Sequence, residues 1–163
     1  MTKDDLEKNL DRVHEWIKAA DQKVSIFLAF QGVVIVILMP YIQDLFSKYQ
    51  SVCSVYRMPL VLGSVVLMSY GLLKSAMALI PRLKNHIKKS LIYFGDISAM
   101  KIEDFKKDLE NMSEADYKQQ LIEQIHVSSR IAAVKHKQFK DSVLLFILGL
   151  GLFILIYLVL NHG

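Results

Sequence analysis

The side chains best suited to metal binding or catalysis are five histidines and one cysteine. No histidine stands in a His-Glu-x-x-His motif or at zinc-site spacing, and His126 and His136 do not share a tight helical face. Gly149-Leu-Gly151 lies in an unbroken apolar run, which excludes a phosphate-binding loop. Nucleotide-hydrolysis motifs, nucleophile elbows and paired catalytic carboxylates are also missing from the sequence. The sequence therefore predicts no metal, no cofactor and no enzymatic activity.

The apolar residues are concentrated in three stretches of the 163-residue chain, which is 53% apolar and 22% charged. A single globular core does not produce such segregation, so a soluble enzyme is excluded. A helix needs about 20 apolar residues to cross the hydrocarbon of a bilayer. Helices also satisfy their own backbone hydrogen bonds in lipid. The stretches are Val24–Pro40, Met58–Ile80 and Ser142–Leu160.

The fold class that follows is an all-α membrane protein with three transmembrane helices and long cytosolic helical extensions. The first apolar stretch is short, and we expect its helix to continue to Phe46. The second stretch contains Lys74, which either reaches the lipid headgroups or lines a pore or lipid site. The predicted segments are a cytosolic amphipathic helix at 1–23, transmembrane helices at 24–46, 58–80 and 142–160, an outside loop at 47–57, a cytosolic helical region at 81–141 and an outside tail at 161–163.

Polar and small residues inside the predicted spans indicate close helix packing. The amide of Gln31 needs a partner in lipid, so we expect it to face the bundle. Gly71 and Ser75 have the four-residue spacing that lets membrane helices approach, and Gly149 and Gly151 thin the third span. We expect these residues to pack a bundle within or between copies, and the chain to form a homo-oligomer.

Basic residues predict the orientation. Five Lys/Arg precede the first span and twelve lie between the second and third spans. The loop between the first and second spans contains only two. Basic segments stay in the cytoplasm, which places the N-terminus inside and the C-terminus outside. The excess positive charge is therefore an orientation signal and does not indicate nucleic-acid binding. Cys53 falls in the outside loop, as an unpaired thiol or in an intermolecular disulfide.

Two long helices are expected to run from the cytosol into the membrane. Leu6, Leu10 and Val13 begin an apolar stripe that continues into Val24 without Gly or Pro, which predicts one helix from about residue 4. Ser113-Glu-Ala-Asp116 has the spacing of a capping box, which predicts the start of the second.

The segment between these two helices contains its own local signals. Gly95-Asp96 interrupts an apolar-aromatic stretch and predicts a bend in the chain. A short helix is expected near Ile102–Glu110.

Three motifs carry a family resemblance. Arg12–Lys23 leading into a span, Tyr93–Ile97, and Gln124–His136 before a final span resemble, in this order, the transmembrane effectors of Pycsar antiphage defence. The resemblance covers nearly the whole chain. It implies a partner pyrimidine nucleotide cyclase that makes cyclic CMP or cyclic UMP. It also implies a multi-pass effector in the bacterial inner membrane that responds to this nucleotide and impairs the membrane, so that the infected cell dies.

A cyclic nucleotide requires a cation for its phosphate and aromatic rings or polar edges for its base. The motifs supply these types, although the two rings would equally serve as anchors at the membrane interface and the cations as interhelical ion pairs. A scaffold or accessory subunit without permeabilising activity is the alternative function, and no ring of acidic residues favours a selective channel. The candidate ligand-binding residues are Arg12, Trp16, Lys23, Tyr93, Asp96, Gln124, Arg130 and Lys135.

Overall fold

The computed structural model describes residues 2–48, 58–80 and 90–162. Helix accounts for 92% of these residues and none of them is in a strand, which confirms the all-α prediction. Cys53 and most of the predicted outside loop lie outside the described residues. Four of the twelve basic residues between the second and third spans do so as well, namely Arg82, Lys84, Lys88 and Lys89. The five helices are α1 (Lys3–Lys48), α2 (Met58–Leu79), α3 (Phe94–Ala99), α4 (Ile102–Glu110) and α5 (Glu114–His162).

Three of the helices, α1, α2 and α5, are long and apolar enough to span a membrane, as predicted. Helix α1 is continuous over 46 residues, and Pro40 lies inside it. A reciprocal pair of hydrogen bonds caps its start. The backbone N–H of Asp5 donates to Thr2 Oγ1 at 3.3 Å, and the backbone N–H of Thr2 donates to Asp5 Oδ2 at 2.9 Å. The prediction of one unbroken helix from the N-terminal stripe into the first span is confirmed.

Helix α5 also begins where its capping residues predict. The N–H of Asp116 donates to Ser113 Oγ at 3.1 Å, and the hydroxyl of Ser113 donates to the Asp116 carboxylate. The helix then continues for 49 residues. Asp116 therefore accepts the hydroxyl proton of Ser113, whereas Glu or Gln in a capping box accepts the backbone N–H of the first capping residue.

The connection before α5 differs in part from the prediction. The bounds of α4 agree with it, but the bend expected at Gly95-Asp96 is wrong, since both residues lie inside α3. The chain turns earlier, where the N–H of Ser90 donates to Asp96 Oδ2 at 2.9 Å and the N–H of Leu91 donates to Gln120 Oε1 at 2.8 Å. Side-chain acceptors thus satisfy the backbone of the turn, and the Gly-Asp pair remains helical.

The chain divides into two compact units. Unit 1 consists of Met1–Ala20 and Pro81–Val134, and unit 2 of Asp21–Ile80 and Lys135–Gly163. In unit 1, Leu6, Leu10 and Leu121 form a buried cluster against which Ile92, Tyr117 and Ile125 pack.

The core of unit 2 lies among its three long helical segments. Leu45, Val61, Phe153 and Ile156 form its buried apolar cluster. The exposed side chains of these segments are mostly large and apolar, such as Ile26 at 73% and Val36 at 71% exposure. An exposed apolar surface of this kind is what a lipid-facing helix presents.

Buried positions follow a seven-residue repeat along each long helix. In α2 they advance by alternating steps of three and four. The same repeat in α5 contains small and polar residues as well as apolar ones. A seven-residue repeat keeps one seam facing the neighbouring helices, with side chains interlocking as in a coiled coil. One position of the α5 repeat is buried at every level, and its residues are Leu121, Ser128, Lys135, Ser142, Gly149 and Ile156.

Candidate functional site

A polar layer joins the three candidate spans inside unit 2. Gln31 of α1, Ser75 of α2 and Ser142 of α5 are each 0% exposed. Ser142 Oγ donates to the carbonyl oxygen of Gly71 at 2.8 Å and forms a short hydrogen bond with Ser75 Oγ. Gln31 Nε2 donates to Ser142 Oγ at 3.4 Å. Ser142 therefore links α5 to both other helices.

The hydrogen bonds of this layer are incomplete. The single proton of Ser142 is used on the Gly71 carbonyl, so Ser75 donates to Ser142. Gln31 Oε1 is left with no hydrogen-bond partner among the residues that the structure describes. Rotating the amide by 180° would place its oxygen near Ser142, but its NH₂ group would then lack a hydrogen-bond acceptor. An unpaired buried polar atom costs about 1–3 kcal/mol, so the layer favours any arrangement that supplies a donor.

Two glycines let α2 and α5 approach closely around the layer. A Cβ atom on Gly71 would lie 3.0 Å from the backbone nitrogen of Phe146, and one on Gly149 would lie 2.8 Å from the backbone nitrogen of Met68. Gly151 is different, because a Cβ there would meet nothing within 4 Å. The structure thus places Gly71 and Gly149 in the α2–α5 contact and leaves Gly151 outside the packing of one chain.

Aromatic rings flank the polar layer. Phe146 is 0% exposed and its ring meets that of Phe27 edge-on, with centroids 5.9 Å apart. Phe139 meets the same Phe27 ring edge-on at 5.9 Å. Edge-to-face contacts of this kind stabilise apolar packing, so the surroundings of Gln31 and Ser142 are apolar.

An ion pair lies next to the predicted start of two spans. Lys135 Nζ donates to Asp21 Oδ1, joining α5 to α1 within unit 2. The Lys135 side chain is 11% exposed and that of Asp21 is 38% exposed. The ammonium therefore depends on Asp21 for its partner, whereas the carboxylate also reaches solvent.

The eight candidate ligand-binding residues are divided between the units. Lys23 and Lys135 belong to unit 2 and the other six to unit 1. Trp16 is 52% exposed, and Arg12, Lys23 and Arg130 are exposed as well. Tyr93, Asp96 and Gln124 are half-buried, and Lys135 is buried.

Members of this set also bond to residues outside it. Asp96 accepts the N–H of Ser90, and Lys135 pairs with Asp21. Tyr93 packs its ring against that of Phe94 at 4.9 Å.

A second polar contact joins α1 and α5 within unit 1. The hydroxyl of Tyr117 donates to Glu7 Oε1 at 3.0 Å, and Lys3 Nζ lies 4.8 Å from the centre of the Tyr117 ring. Burial, followed by the hydrogen bond and the charge of Glu7, raises the pKa of Tyr117 above its ordinary value of 10.0. The phenol is therefore held in its neutral form and acts as a donor.

Sequence reasoning missed the partners in these contacts. In the sequence, Ser142 was noted only as the first residue of the third predicted span. No role was predicted for Asp21 or Gln120. The seven-residue repeat is a signal that finds Ser142, since it lies seven positions from both Lys135 and Gly149. Asp21 is the last acidic residue before the first apolar stretch, where a partner for a basic residue is most needed.

The profile of the Pycsar effector protein domain matches residues 5–161, nearly the entire chain. The chain belongs to the Pycsar effector family. The same comparisons found no curated protein and no solved structure that matches it. A Pycsar effector with three helices of this length and composition is a membrane protein of antiviral defence, in a setting of cyclic-nucleotide signalling with a cyclase.

The Pycsar effector family is not a known enzyme class. Within the described ranges, no group of three or more His, Cys, Asp or Glu residues is placed to hold a metal ion. Gln31, Ser142 and Lys135 of unit 2 join helices to one another.

Proposed function

We propose that the chain is the membrane effector of an abortive-infection system. A partner cyclase makes cyclic CMP or cyclic UMP, the nucleotide binds the effector, and copies of the effector then impair the bacterial inner membrane and kill the infected cell. Family membership and the continuity of α1 and α5 support this proposal.

The observation that carries the mechanism is that α1 and α5 each contribute residues to both units without a break in the helix. Six of the eight candidate ligand residues lie in unit 1, while the apolar spans lie in unit 2. A change in the direction of a continuous helix at one end is carried along its length. Nucleotide binding in unit 1 would therefore shift the arrangement of the spans.

The nucleotide can shift this equilibrium only by its preference for one arrangement over the other. The exposed cations Arg12 and Arg130 are suited to the phosphate, and the half-exposed indole of Trp16 to the pyrimidine ring. In the proposed orientation, the N-terminus and unit 1 face the cytoplasm, where a cyclase product would accumulate, and the C-terminus faces the periplasm.

The test is uptake of a membrane-impermeant dye by cells that express the effector, with and without the cyclase product. We expect uptake only in cells that contain cyclic CMP or cyclic UMP. Equal uptake in both conditions would reject gating by the nucleotide, and no uptake in either would favour a scaffold or accessory subunit. A reporter fused after Gly163 checks the orientation, since it must be periplasmic if the C-terminus is outside.

A further inference from the structure

Polar and small residues recur at one position of the α5 repeat within unit 2. Lys135, Ser142 and Gly149 are buried and seven residues apart, which spaces them by about 10 Å along the helix. Lys135 meets the Asp21 carboxylate of α1, and Ser142 meets the Ser75 hydroxyl of α2. At Gly149 the backbones of α2 and α5 approach closely, since a Cβ there would lie 2.8 Å from the carbonyl oxygen of Ser64. The seam thus contains polar side chains at two levels and a close backbone approach at the third.

At the middle level, the side-chain oxygen of Gln31 lacks a hydrogen-bond donor. Gln31 Oε1 is fully buried and has no partner among the described residues, while the hydroxyls of Ser75 and Ser142 donate elsewhere. A water molecule is the smallest species that donates to such an oxygen and also accepts from the amide NH₂. If the helices separate, these polar groups are therefore the ones that water or a hydrated cation would contact.

Apolar side chains separate the polar levels. Phe146 lies between Ser142 and Gly149 in sequence and is 0% exposed, and Phe153 follows Gly149 and is 2% exposed. In the described part of the seam, these buried rings interrupt the run of polar side chains. Separation of α1 from α2 and α5 would remove the contacts of Phe27 with Phe146 and turn Gln31, Ser75 and Ser142 toward the gap.

We propose that this seam is the route by which water and small ions cross the membrane in the active effector, with Gln31, Ser75 and Ser142 lining it. The inference rests on the proposed function for the claim that the membrane is impaired. It adds that the lesion is a hydrated path along a defined face of the helices, rather than general disorder of the lipid.

The decisive variant is Gln31→Glu, with Gln43→Glu as the matched control, since Gln43 lies exposed on the same helix. The purified full chain is reconstituted in dye-loaded vesicles of phosphatidylethanolamine and phosphatidylglycerol, without nucleotide. A charge within hydrocarbon recruits water, so we expect Gln31→Glu to raise dye release by about tenfold or more over the control. The permeability ratio of potassium to chloride must also rise, because a carboxylate in the path attracts cations.

Release equal to that of Gln43→Glu, or higher release without a preference for potassium, overturns the inference. Ser142→Asp places a charge at the same level and decides the question if Gln31→Glu is not recovered in the vesicles. Wild-type vesicles with cyclic CMP or cyclic UMP test the proposed activation separately. Failure to respond would reject activation by these nucleotides while leaving the result for the acidic variants intact.

In vesicles where the wild type responds, Gln31→Leu adds a test in the opposite direction. Replacing the amide with an apolar side chain removes the polar lining, so we expect nucleotide-triggered release to fall by about tenfold relative to Gln43→Leu. Equal release from the two leucine variants would count against Gln31 as part of the path.

Discussion

Gly149 and Ser64 approach so closely that a Cβ atom on residue 149 would lie 2.8 Å from the carbonyl oxygen of Ser64. The opposing atom is backbone, so no side-chain rotation relieves the overlap. The hydroxyl of the same serine donates to the Val61 carbonyl within its own helix at 2.7 Å. At this level of the bundle, the approach of α2 to α5 is therefore set by the glycine rather than by the hydroxyl of Ser64.

Gly149→Ala should separate α2 from α5 and destabilise the protein. Inserting a methyl group into a well-packed contact costs about 1–3 kcal/mol. Gly151→Ala is the control, since a Cβ at that position meets nothing within 4 Å. Thermal unfolding of both variants in detergent, followed by circular dichroism, measures the difference. Equal stability of the two variants would contradict the close packing at Gly149.

Ser142→Ala should destabilise the bundle more than Ser64→Ala. The first substitution removes hydrogen bonds that join three helices, whereas the Ser64 hydroxyl serves only its own helix. Hydrogen bonds between membrane helices contribute about 0.6–2 kcal/mol each. Denaturant unfolding in mixed micelles gives both free energies, and a neutral Ser142→Ala would show that the polar layer does not stabilise the fold.

The two halves of the Lys135–Asp21 pair should respond unequally to substitution. Asp21→Asn leaves a buried ammonium without its counter-charge, while Lys135→Met leaves a carboxylate that already reaches solvent. We expect Asp21→Asn to be the more destabilising by about 1–3 kcal/mol. A double-mutant cycle measures both single effects and their coupling. A larger loss from Lys135→Met would reverse this assignment.

The courses of the long helices could be predicted because their signals are local. The apolar length of each stretch, the Ser113 cap and the absence of Gly or Pro between Leu6 and Val24 are all properties of neighbouring residues. The Gly95-Asp96 prediction failed because a more distant contact decided it. Asp96 accepts the N–H of Ser90, six residues earlier, and the pair stays within α3.

The partners within the candidate site could not be predicted, because they depend on how helices far apart in sequence align. The sequence marked Gln31 as a residue in need of a partner, but nothing in one helix identifies Ser142 as that partner, 111 residues away. Gly149 and Gly151 looked equivalent as small residues. They lie on different faces of α5, and the seven-residue repeat from Ser142 distinguishes them.

Tyr117 gives unit 1 a defined alkaline sensitivity. Burial and the hydrogen bond to Glu7 raise its pKa, so the folded chain holds the phenol proton more tightly than the unfolded chain. This contribution to stability is fully present below the ordinary pKa of 10.0 and is lost as pH rises through the raised value. Tyr117→Phe should lower stability at neutral pH by about 1 kcal/mol and flatten its decline at alkaline pH. An alkaline decline of equal slope in the variant would assign the effect to other groups.

Arg130→Ala tests the ligand proposal most directly. Arg130 is exposed on α5 within unit 1, so its removal should leave the fold intact and take away one cation for the nucleotide phosphate. A charge-assisted hydrogen bond is worth about 1.5–3 kcal/mol, which corresponds to roughly a tenfold or greater increase in the nucleotide concentration for half-maximal dye release. Lys137→Ala, an exposed cation on the same helix, is the control and should leave that concentration unchanged. A normal response from Arg130→Ala would remove this residue from the binding site, and an equal loss in both variants would indicate a general effect of surface charge.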